Sequence, residues 1–216
     1  MASAPTPPSA AHASERRGPA PARTRAETGP RSLASLPFAC AVITAINGLY
    51  ILLVGVGNIT DFETNLAFVQ HVLAMDTTNF GAEPGIALDP DVMWRAITSS
   101  GLQTAAYVAI IIWESVTALV LGYATLLWVT SWRSRSFAAP RRMATVGLLM
   151  LVILFMGGFI AIGGEWFQMW RSTDWNGIDA AFRNAVLALL GLILLHLPSP
   201  DWAEAAGPEA FAMPSR

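Results

Sequence analysis

Residues 102–129 read LQTAAYVAIIIWESVTALVLGYATLLWV, and residues 130–143 after them read TSWRSRSFAAPRRM. The first run carries a single charge, Glu114, and is longer than the ~20 apolar residues a helix needs to cross a bilayer. The second run carries Arg133, Arg135, Arg141 and Arg142 and no acid. An apolar span that ends in a basic connection marks the cytoplasmic side of a membrane. Backbone groups in lipid must bond within their own segment, so the span is a helix.

Three more runs follow the same rule. Residues 34–57 and 144–164 carry no charge. Residues 180–197 carry only Arg183, in the first turn, and stop at Pro198-Ser199-Pro200. The predicted fold is all-α: an integral membrane four-helix bundle over 34–197. Orientation comes from the connections. The stretch before the first span holds Arg16, Arg17, Arg23, Arg25 and Arg31, whereas the 58–101 loop holds Asp61, Glu63, Asp76, Glu83, Asp89 and Asp91 against Arg95 alone. The 165–179 loop is also acidic on balance. Both ends are expected in the cytoplasm and both longer loops outside.

Composition agrees. Apolar residues make up 54% of the 216 and charged residues 13%, too few to cover a soluble domain of this size. A net charge of -2 offers no basic face for nucleic acid. Cys40, the single cysteine, excludes an internal disulfide, a dithiol redox pair and a cysteine-rich zinc site. Residues 1–33, rich in Ala, Pro, Ser and Arg, are expected to be a disordered tail. Their apolar run starts too late for a secretory signal, and Arg16-Arg17 stands too far from it for a twin-arginine one. Residues 198–216 are expected to be a second disordered cytoplasmic tail.

The first loop has internal pattern. Phe62, Leu66, Val69 and Leu73 recur at helical spacing, which predicts an amphipathic helix over 62–75, on the membrane or capping the bundle. A short helix is expected over about 91–99. Gly157 and Ala161 share one helix face, as do Ala118 and Gly122, and small residues at that spacing let helices pack closely. No internal repeat is evident.

Glu114 stands out because an ionisable group deep in a span faces a cavity or a partner. Its expected hydrogen-bond partners are Tyr50, Asn47 and Thr44. Arg183 needs an anion, and Glu165 or Glu114 could supply it. Asn176 or Asp179 suits a helix N-cap. Trp94, Trp166, Trp170 and Trp175 form an expected aromatic belt. His71, Asp76 and Arg95 join Glu165 and Asp179 in a candidate outer polar cluster. His71 with Asp76 and Glu165 could in principle hold a metal, but the ligand spacing is wrong, and no His pair supports haem. No cofactor is expected.

The segments Phe68–Thr78, Trp94–Thr98, Trp113-Glu114 and Gly163–Arg183 resemble the bacterial family of predicted small integral membrane proteins, a domain of unknown function. The resemblance covers about residues 36–197. It implies a bacterial multi-pass protein of the cell inner membrane and carries no activity with it. Three functions remain in view: a non-enzymatic scaffold or accessory subunit of a membrane complex, a small transporter or ion-conducting protein using Glu114, and a metal or haem binder on the outer face. The expected partners are lipid and other membrane subunits.

Overall fold

The computed structural model describes Leu33 and residues 35–202; the expected tails lie outside the described residues, except for Leu33 and residues 198–202. Every regular element among the described residues is helical: α1 (Leu36–Thr60), α2 (Phe62–Ala74), α3 (Ser100–Ser131), α4 (Ala138–Trp166) and α5 (Ile178–His196). Three 3-10 turns, Met93–Arg95, Met169–Arg171 and Pro200–Trp202, punctuate the connections. Helices α1, α3, α4 and α5 are long and apolar enough to cross a membrane. Each contains the run expected of it, except that α1 starts two residues later and α5 ends one residue earlier.

The four long helices form a ring in the order α1, α3, α4, α5, and α1 meets α5 along the loosest seam. The long 61–99 connection marks one end, here the loop end; the short 132–137 connection marks the other, the turn end. Packing is tightest where small residues meet Leu121. Leu121 is fully buried between Gly48 of α1 and Gly147 of α4, and Gly191 of α5 sits against Leu148 and Ile43. The expected close-packing pairs differ. Gly122 and Gly157 have open space above them, and Ala161 is exposed. Large apolar side chains such as Leu119, Leu126, Leu53 and Ile193 point outward from the ring, the reverse of a soluble protein.

A helix fills residues Phe62–Ala74, and it continues α1 after a break at Asp61 (φ -124°, ψ 62°). Phe62 meets Tyr107 at one end of α2 and Leu73 accepts from the Ile97 N–H at the other, so α2 runs antiparallel to α3. Leu66 and Val69 are buried against Tyr107 and Ile111. The helix ends at Met75, buried in the left-handed conformation (φ 55°). The helix expected over 91–99 shortens to the Met93–Arg95 turn.

Helix α4 begins at Ala138, so Arg141 and Arg142 belong to it and not to the connection. Arg141 donates twice to the Leu195 carbonyl (3.0 and 2.6 Å) and stacks on Trp202 at 4.3 Å. That contact docks residues 198–202 on the turn end. From Ile153 to Trp166, α4 takes the wider π geometry. A stretch of this kind is rare, and short ones concentrate at functional sites.

Candidate functional site

The break after α1 positions two amides. Asn58 and Asn65 are seven residues apart, ~10.5 Å along an unbroken helix. The break brings them together: Asn65 Nδ2 donates to Asn58 Oδ1 at 2.7 Å. Asn58 Nδ2 in turn donates to Glu114 Oε2, also at 2.7 Å. The Tyr107 hydroxyl donates to the Asn58 carbonyl, one of the groups that the break releases from helical pairing (3.3 Å). Glu114 is 3% exposed and lies near the middle of α3.

These groups line a partly open chamber of about 270 Å³ with walls from all five helices. Helix α1 contributes Tyr50 and Asn58 to it, the π stretch contributes Phe155 and Phe159, and α5 contributes Asn184. Asn184 Nδ2 donates to the Tyr50 hydroxyl oxygen at 2.7 Å. Among the described residues Glu114 Oε1 has no hydrogen-bond partner, and Glu114 lines the chamber. It is the one charged side chain in the lining among the described residues.

The roof is aromatic. Phe68 packs on Phe159 at 6.4 Å and on Trp175 at 6.2 Å, and Gly177 admits the Phe68 ring so closely that a Cβ there would lie 3.0 Å from it. One layer further out, His71 stacks on Trp175 (4.5 Å, 20°) and its Nδ1 meets both Asp76 oxygens at 2.9 and 3.0 Å. His71 and Asp76 therefore do come together, above the chamber and separated from it by Phe68.

The remaining expected residues disperse. Arg183, Glu165 and Asp179 are exposed, and none forms an ion pair among the described residues. The expected Arg–Glu pair is absent because Glu114 is held by Asn58 on the inner side of the ring. Asn47 and Thr44 bond back to the carbonyls of Ile43 and Cys40, as polar side chains in helices commonly do, so neither reaches Glu114. Asn176 Oδ1 accepts from the Ile178 N–H (3.1 Å) and serves the start of α5. Arg95 lies against the Trp94 and Trp166 rings at 5.5 and 5.0 Å and donates to the Trp166 carbonyl. Among the described residues, no three His, Cys, Asp or Glu side chains cluster as a metal site would require.

One ion pair was not foreseen. Arg171 donates to Asp89 at 3.0 Å while stacking on Trp170 and Phe80, tying the 80–91 segment to the loop before α5. Arg171 beside it, with the Asp91 N–H, holds the Asp89 carboxyl below the usual carboxylate range. The chamber amides were also missed. Their signal was Tyr50, Val54 and Asn58, which recur at four-residue spacing on one face of α1.

No curated protein and no solved structure matches this chain. A family model described as predicted small integral membrane protein (DUF2165) matches residues 36–198, which include every long helix, the broken segment and the whole chamber. The chain thus belongs to this family of small integral membrane proteins, a domain of unknown function.

Proposed function

We propose that the protein is a small-solute binding membrane protein of the transporter type, whose chamber receives an ammonium group at Glu114. The carrying observation is Glu114 itself: nearly fully buried, bonded through one oxygen among the described residues, and part of a cavity wall. A carboxyl group in a low-dielectric site is costly unless a counter-charge or donor meets it. The other free groups point the same way. Asn65 and Asn184 each spend one amide N–H and accept no hydrogen bond at the side-chain oxygen among the described residues, so both oxygens can take an incoming donor. Among the described residues no basic side chain lines the chamber, so an anion has no counter-charge there. Phe155, Phe159 and Tyr107 offer ring faces that attract cations. The volume of about 270 Å³ lies just below the ~300–1,000 Å³ range of drug-sized sites, so the solute is small.

In this reading the loop end faces away from the cytoplasm of a bacterial cell membrane, and both termini lie inside. The arginines of the 130–143 segment support it, as do the acids of the 58–101 loop. The test is binding of butylammonium and phenethylammonium to purified protein in nanodiscs, by calorimetry. Wild type should bind, and Glu114→Gln should remain folded and bind about 10–100-fold more weakly, the worth of a hydrogen bond to a charge. Wild type that binds neither amine would overturn the proposal and leave Glu114 as a structural partner of Asn58.

A second reading, an accessory subunit, is favoured by a different surface. A cavity of about 730 Å³ between α1 and α3 is lined by Gly55, Ser115, Ala118 and Gly122, small residues of the kind that admit a neighbouring helix. Its test is co-purification in mild detergent. A stoichiometric partner that Gly122→Leu releases would support it; a monomeric wild type would sink it.

A further inference from the structure

We propose that the ligand of the chamber is an amphiphile, a single-chain alkylammonium, that enters sideways from the bilayer between α1 and α5. This rests on the ammonium reading of Glu114 and adds where the rest of the ligand lies. Between α1 and α5 a second cavity of about 590 Å³ runs from the chamber toward the turn end. It is more than twice the chamber's size, and its walls are Ile43, Ile46, Leu187, Leu190 and Leu194. The two cavities share Tyr50, Phe155 and Asn184. The seam that holds the larger one is the loosest in the ring.

The Tyr50–Asn184 hydrogen bond (2.7 Å) is the one polar link across this seam among the described residues. It stands at the boundary between apolar groove and polar chamber. Asn47, the other polar residue of the groove, is turned back onto its own helix at the Ile43 carbonyl. Charge and polarity therefore divide along a line. An acid bonded through one oxygen among the described residues lies on one side of Tyr50, and a largely apolar trough lies on the other. A ligand that satisfies both has a cationic donor at one end and a hydrocarbon chain at the other. A small water-soluble amine would fill the chamber and leave the groove to lipid. Loosening the Tyr50–Asn184 bond would join the two spaces and let the head group pass Tyr50 while the chain stays in the trough.

The experiment uses full-length protein in nanodiscs and a dodecylammonium probe with a terminal photoreactive diazirine, with adducts mapped by mass spectrometry. Adducts are expected on Ile43, Ile46, Leu190 and Leu194. Unlabelled dodecylammonium should compete them away, Glu114→Gln should reduce them about tenfold, in line with loss of a charged hydrogen bond, and Leu187→Trp should block them by filling the trough. A neutral dodecanol probe should label the outer surface diffusely. Equal groove labelling by the neutral probe, or labelling unchanged in Glu114→Gln, would show an annular lipid site and overturn the inference. Butylammonium binding to wild type separates the two proposals. If it binds and the long probe labels diffusely, the chamber stands and the amphiphile falls; if neither engages, both fall.

Discussion

Asn58 holds three groups in register. Its amide donates to Glu114 and accepts from Asn65, while its carbonyl takes the Tyr107 hydroxyl. Asn58→Leu strands the buried Glu114 carboxyl without its donor, at about 1–3 kcal/mol or more, while Asn65 is exposed and is not left in a buried site. Tyr107→Phe removes one hydroxyl bond, worth about 1 kcal/mol. Thermal unfolding in detergent should therefore show a clearly larger loss for Asn58→Leu, and equal losses would place the hub elsewhere. Glu114 was legible in the sequence because an ionisable group inside an apolar run needs a cavity or a hydrogen-bonding partner. Asn58 was not, because an amide near the end of a span costs little when it reaches the interface. Its inward direction comes from the α1 face it shares with Tyr50 and Val54, and the break at Asp61 then brings Asn65 to it, which hydrophobic pattern does not mark. The expected partner Tyr50 does line the chamber, bonded to Asn184 instead.

At the scale of elements, the long apolar runs named themselves, but their contacts did not. The stretch Gly157-Gly158-Phe159-Ile160-Ala161-Ile162-Gly163-Gly164 reads as a helix-packing face, since a π helix and an α helix draw on the same residues. The closest approach is at Gly147, where an added Cβ would overlap the Leu121 side chain. Gly147→Val should cost about 1–3 kcal/mol by overpacking, whereas Gly122→Val, with open space above it, should be near neutral. Comparing their melting midpoints in detergent checks this. The connections show another regularity. Met-Trp-Arg occurs at 93–95 and again at 169–171, each time as a 3-10 turn with the arginine stacked on the preceding tryptophan, and each time shortly before a span. The second turn is pinned by Asp89. Pairing depresses the folded pKa of Asp89, so its contribution is complete above the ordinary carboxylate range and is lost as pH falls through the depressed value. Acid should release the 80–91 segment, and Asp89→Asn should show that release already at neutral pH. Trp170 fluorescence, read from neutral pH to about 3, below the ordinary Asp value, follows the change; an identical titration in Asp89→Asn would exclude the pair as its cause.

For the whole molecule, the arginines set the proposed orientation and Cys40 makes it measurable. Cys40 is 2% exposed, so it should stay silent toward a membrane-impermeant maleimide. Asp174→Cys at the loop end should be labelled on intact bacterial cells, while Ser136→Cys at the turn end should react only after lysis. The opposite pattern would turn the protein over. The break between α1 and α2 also has a consequence for biogenesis. Helix α1 can settle in lipid as soon as it is made, since its outer face is apolar. Helix α2 carries Glu63, Asn65, Gln70 and His71, and its buried residues Leu66 and Val69 find their partners only on Tyr107 and Ile111. A nascent chain that stops before residue 100 therefore holds α2 without a seat, open to protease. Asn184 reaches Tyr50 only with α5, the fourth of the described spans, so the walls of the proposed binding chamber are complete only after that span inserts.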